Sequence, residues 1–188
     1  YETVVMYHNS SSGFVWADSI DMSSNNFDTG SVGRLPISKF VFEHKVDSNN
    51  NLIITSKKGQ NSNMGIDEYL ITSFNTTGKK WSSTLQLSRL EAITVEFETD
   101  FNLRTAISGT EINYFVQTNT SMVFDGSSID CPVGSELRMC YIWLTIDENG
   151  SKIMDLAINN PRVTFTSFGV RNDVAYLGGI TGHTLYPC

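Results

Sequence analysis

The stretch LRMCYIWLTIDENGSKIMDLAI, residues 137–158, decides the class of fold. Cys140, Ile142, Leu144 and Ile146 occupy alternate positions with Met139, Tyr141 and Trp143 in the other phase, and a second run of strand-forming residues follows at 152–158. A repeat of two lines the faces of a pleated strand, where β-branched and aromatic side chains pack well. Between the runs stands DENG, 147–150, whose Asn-Gly pair takes up the positive φ angles of a tight hairpin. The stretch therefore reads as two strands joined by a turn, with 137–147 as a central strand.

Working outward, similar runs occur at 2–7, 39–46, 51–57, 68–74, 92–99, 111–118, 162–168 and 174–178. About ten short strands at a spacing of roughly 8–12 residues predict an all-β fold, an antiparallel β-sandwich or β-barrel of jelly-roll-like form rather than βαβ units. Turn residues at DSNNN (47–51), NNPR (159–162) and GVRND (169–173) mark further connections, so residues 137–178 are expected to form a four-strand antiparallel meander. At most one short helix is expected, over STLQLSRLEAI (83–93), where Leu87, Leu90 and Ile93 have helical spacing. Residues 8–38 hold few alternating runs and many Ser, Asn and Gly; they read as long surface loops with a short strand at GFVWA. Loops of that length are uncommon in a compact domain unless they carry function.

The chain has 188 residues, a length suited to a single β domain over 1–188 with one core. Tyr rather than Met at position 1 points to a piece excised from a larger protein. Net charge is −7, and the 13 Lys and Arg are scattered apart from the pairs at 57–58 and 79–80. Binding to a phosphate backbone needs clustered bases, so no nucleic-acid partner is expected for this segment. No apolar stretch approaches the roughly 18 residues of a spanning helix, and membrane insertion is not expected.

No residue pattern names a chemistry, and no cofactor, metal ion or catalytic residue is expected. Three cysteines, 131, 140 and 188, exclude a fully paired framework. Cys140 shares the phase of Ile142 and Leu144 and reads as a small buried apolar side chain. One bridge, between Cys131 and Cys140 or between either and Cys188, stays open as the lesser alternative, the eight intervening residues making the first geometrically feasible, and a zinc site lacks ligand spacing. His44, in phase with Phe40 and Phe42, reads as a core-edge or cross-strand residue; His8 and His183 sit in Ser/Gly-rich segments with no nucleophile elbow nearby. Asp47, Asn49 and Asn51 match the start of a calcium loop, but Leu52 and Lys58 stand where Gly and Glu are needed, which leaves a hairpin turn. Glu96 and Glu98 share a strand face and form the acid pair of a β-sandwich glycoside hydrolase only if another strand adds a carboxylate; a solvent-facing stripe is the simpler reading.

Four Asn-x-Ser/Thr sequences, at Asn9, Asn75, Asn119 and Asn149, permit an extracellular history. Trp16, in the loop-rich segment, and Trp81, after the TTGKK turn, are the candidate binding residues, offering an aromatic face to a sugar ring or an anchor to a protein. Against that stands the reading in which both cap the core from its edge.

The stretch CPVGSELRMCYIWLTIDENGSKIMDLAI together with the terminal LGGITGHTLYPC resembles the C-terminal protruding, or spike, domain of small non-enveloped RNA-virus capsid proteins, in the nodavirus and tetravirus group that includes the Lake Sinai viruses. The resemblance implies a non-enzymatic attachment module on the virion surface. It would pair or cluster with copies of itself as a dimer or trimer and meet a host receptor protein or glycan, with 8–38, 47–51 or 147–150 pointing outward. The main alternative is a carbohydrate-binding lectin or adhesin domain, extracellular or on a cell surface.

Overall fold

The computed structural model describes residues 2–9, 11–21, 41–61, 66–88, 103–118, 121–132, 140–158 and 164–180. Among these residues the fold is all-β, with no helix and with every strand pairing antiparallel. Fourteen strands follow in order: β1 (Glu2–Asn9), β2 (Gly13–Asp21), β3 (Val41–Val46), β4 (Leu52–Asn61), β5 (Ile66–Asn75), β6 (Gly78–Ser88), β7 (Leu103–Ser108), β8 (Glu111–Thr118), β9 (Ser121–Phe124), β10 (Ser127–Asp130), β11 (Cys140–Ile146), β12 (Lys152–Ile158), β13 (Thr164–Arg171) and β14 (Val174–Ile180).

Six strands in the order β10-β9-β6-β5-β4-β3 form one sheet and four in the order β12-β11-β8-β7 form the second. Their facing sides make the main core: Ile53, Tyr69, Ile71, Leu85 and Leu87 from the larger sheet meet Ile112, Tyr114, Val116, Ile142, Leu144 and Ile146 from the smaller. The two sheets share no ladder among the described residues and face each other across the core, an arrangement consistent with a β-sandwich.

Each outer face also takes a hairpin. Trp16 of the β1–β2 hairpin and Val5 pack with Ile54 and Phe74 on the larger sheet. On the smaller sheet, Phe165 and Phe168 of the β13–β14 hairpin lie against Phe115, Tyr141 and Trp143, with ring centroids 4.8–6.2 Å apart in stacked and edge-to-face arrangements. The result is four β layers around one large apolar interior and two smaller ones.

Three expectations are corrected. Residues 83–88 belong to β6 and are not helical: Ser83, Leu85 and Leu87 are buried while Thr84, Gln86 and Ser88 are half-buried, the period of a strand pairing β5 and β9. Leu90 and Ile93 lie outside the described residues. The meander of 137–178 does not form: β11 pairs β12 on one side but β8 on the other, and β13 and β14 make a separate hairpin stacked on the sheet face. Tyr141 and Trp143 supply the reason, because an aromatic outer face on β11 needs a covering layer, which β13–β14 provides. Finally, part of the expected loop region 8–38 is a long hairpin, since GFVWA opens the nine-residue β2 paired with β1; residues 22–40 lie outside the described residues.

Candidate functional site

The antiparallel registers bring several hairpin turns to one end of the sandwich. Leu52 pairs Phe74, which sets the β3–β4 turn beside the β5–β6 turn, and Ile146 pairs Ile112, which sets the β11–β12 turn beside the β7–β8 turn. Hydrogen bonds then join the turns across the two sheets. The Ser48 N–H donates to the Gly109 carbonyl at 3.0 Å. Asn49 Nδ2 donates to Glu148 Oε2 at 2.7 Å and Trp81 Nε1 to the Glu148 carbonyl at 2.8 Å.

Two of these turns are the same device built twice. In Asp47-Ser48-Asn49-Asn50-Asn51, Asp47 Oδ1 accepts from the N–H groups of Asn49 and Asn51 at 2.9 and 2.8 Å. In Asp147-Glu148-Asn149-Gly150-Ser151, Asp147 Oδ1 accepts from Asn149 and Ser151, both at 2.8 Å. Both close with the same backbone pair, Asp47 N–H to Asn51 O with Asn50 N–H to Asp47 O, and Asp147 N–H to Ser151 O with Gly150 N–H to Asp147 O. The fourth position needs a positive φ, 60° at Asn50 and 86° at Gly150, which Asn and Gly tolerate better than other residues. An aspartate that bonds the backbone ahead of it holds a turn rigidly without a metal ion. Residues 47–51, matched in part to a calcium loop, are thus a hairpin turn as read.

The candidate tryptophans both lie at this end, on different faces of the β5–β6 hairpin. Trp16 stacks on Tyr7 and Phe74, with centroids 5.7 and 5.8 Å away, and its Nε1 donates to the Thr76 carbonyl at 2.9 Å. Trp81 packs on the edge of the main core, and a Cβ added to Gly150 would lie 2.8 Å from its Cδ2. Each indole is half-buried and committed to packing at the turn end. The structure does not bring the two together into one aromatic platform.

The opposite end is closed by a covalent tie. Cys131, just after β10 in the larger sheet, and Cys140, the first residue of β11 in the smaller, form a disulfide with Cα atoms 5.8 Å apart, a normal span. Cys140 is fully buried as expected, but as half of a bridge rather than a free thiol, a correction to the preferred reading. Phase along β11 predicts burial; it carries no information on whether β10 delivers a second sulfur. Beside it, the Ser88 and Thr118 hydroxyls lie 2.9 Å apart, and each donates to the Ser121 carbonyl.

Of the other candidates, His44 is exposed on β3, the outermost strand of the larger sheet, and stands opposite Ile54 of β4 across the ladder. Glu96, Glu98, His183 and Cys188 lie outside the described residues, as does the side chain of His8. No group of three or more His, Cys, Asp or Glu suited to a metal ion occurs among the described residues. Sequence reasoning did not find Gly109 and Glu148 as partners of the turn end: Gly109 and, toward Trp81, Glu148 act through backbone carbonyls, which leave no mark on residue type, and the Glu148 carboxylate meets an Asn49 that stands 99 residues away. No protein-family model matches this chain, and neither a curated protein nor a solved structure matches it significantly.

Proposed function

We propose that the chain is a non-enzymatic attachment module that offers its turn end to a partner of another surface. One observation carries this reading: short rigid turns from both sheets converge there and are hydrogen-bonded to one another, through backbone groups and the Asn49–Glu148 side-chain pair, while the exposed side chains at Ser48 and Thr76 take no part in those ties. Contact residues on a rigid scaffold supply recognition with little entropy lost on binding. The resemblance to capsid protruding domains points to display on a virion, with a host receptor protein or glycan as partner. The Cys131–Cys140 bridge fits that setting and a cell surface alike, since disulfides persist in both. A sugar-stacking lectin is supported less, because both indoles are engaged in packing.

The test is adhesion of the labelled chain to a panel of animal cells and a glycan array. Ser48→Arg and Thr76→Arg leave the backbone ties intact and are expected to weaken binding about tenfold or more, whereas Ser128→Arg on edge strand β10 leaves it unchanged. Equal binding by all three variants, or no binding to any cell or glycan, removes the proposal.

A further inference from the structure

Two of the four Asn-x-Ser/Thr sequences have described side chains, and both fall at the turn end: Asn75-Thr76-Thr77 between β5 and β6, and Asn149-Gly150-Ser151 between β11 and β12. Among the described residues no hydrogen bond engages either amide nitrogen. In the second turn the Asp147 carboxylate accepts from the backbone of Asn149 and Ser151, and the exposed Asn149 side chain enters none of the bonds that hold the turn. In the first, Asn75 Oδ1 accepts from the Thr77 N–H at 2.8 Å and the Thr77 hydroxyl at 2.7 Å, while Nδ2 stays outside the pattern. A substituent on either Nδ2 displaces no native contact of these turns. A second observation points the same way: the chain closes a disulfide, and disulfides form in the oxidising lumen where N-glycans are added.

We propose that Asn75 and Asn149 are N-glycan acceptors, modified when the chain passes through that lumen. The co-reactant is an oligosaccharide carried on a polyprenyl diphosphate. Nδ2 attacks the anomeric carbon, the N–C bond forms as the C–O bond to the diphosphate breaks, the diphosphate leaves with that electron pair, and Nδ2 loses one proton; no oxidation state changes. The product is a neutral, bulky, hydrated group at each of two neighbouring turns. The glycans would stand beside Thr76 at the end proposed for attachment, so binding is compared between the glycosylated and the enzymatically deglycosylated chain, and failure of the assignment would leave the attachment reading standing.

The experiment expresses the whole chain behind a secretion leader in cultured animal cells and reads total cell protein as well as medium, so that retention does not hide the result. Deglycosylation by a peptide N-glycosidase in heavy-oxygen water marks each former acceptor as labelled aspartate, which peptide mapping locates. Label is expected at positions 75 and 149, with Asn75→Gln and Asn149→Gln each removing one gel-mobility step. The intact Cys131–Cys140 linkage in the same digest shows that the chain reached the oxidising lumen. Unlabelled Asn75 or Asn149 in bridged protein overturns the assignment of that residue, and a chain recovered without the bridge and without label overturns both.

Discussion

At the scale of single residues, Gly150 and Trp81 show how a turn and a core edge depend on each other. Gly150 has φ 86°, and a Cβ there would lie 2.8 Å from Trp81 Cδ2 and 2.9 Å from Cε3. Gly150→Ala meets a backbone penalty and a ring that is itself held by the Glu148 carbonyl, so a loss of about 1–3 kcal/mol is expected in urea unfolding. Asn50→Ala, at the same position of the twin turn, has the backbone penalty without a clash shown, and its loss is expected to be smaller. Trp81 was legible in the sequence as an aromatic beside a turn, but its role was not, because its partner Glu148 stands 67 residues away. Neither a Gly nor a carbonyl announces that an indole will rest on it.

At the scale of elements, alternation identified β1, β3, β4, β5, β8, β11, β12, β13 and β14 because each is long enough to show a repeat or is bounded by turn residues. It missed β7, the six residues Leu103–Ser108, and it failed on β9 and β10, four residues each around the Asp125-Gly126 turn, which are too short for a period to register. On β6 two apolar spacings competed. Burial of Leu85 and Leu87 against the smaller sheet decided for the strand, a tertiary effect that overrides local spacing. The bridge between Cys131 and Cys140 fastens the edge strand β10 to the central strand β11 across the sandwich. Closing so short a loop is worth about 2–3 kcal/mol on the chain-entropy scale. The Cys131→Ala/Cys140→Ala double variant should fall in unfolding free energy by that amount, and dithiothreitol should lower the wild-type thermal midpoint while leaving the double variant unmoved.

At the scale of the whole molecule, layering sets a pH dependence that no local pattern foretells. Tyr114 is fully buried between the sheets with its hydroxyl 2.9 Å from Thr55 Oγ1; desolvation pushes its pKa far up, partly offset by that hydrogen bond, with the charge of Glu43 adding a smaller rise. Tyr141, under the β13–β14 hairpin, is also raised by burial, against a backbone hydrogen bond with Phe165. Unfolded tyrosines ionise near pH 10 while these two keep their protons, so above about that pH the native state binds more protons and stability falls as pH rises. Urea midpoints across that range should decline together with the appearance of tyrosinate absorbance, and Tyr114→Phe should shallow the decline. The all-β class was readable from alternation; the choice between sandwich and barrel and the four layers were not, since a strand apolar on both faces looks the same whether its cover is a neighbouring sheet or its own downstream hairpin. The paired turns have a wider consequence for how such a surface can change over time. Their geometry resides in the leading aspartate, the backbone and the positive-φ fourth position, while the second position holds Ser48 in one and Glu148 in the other. Frame and content are separable at Ser48, whose side chain can be exchanged by point substitution without touching the turn, whereas Glu148 also carries the tie to Asn49.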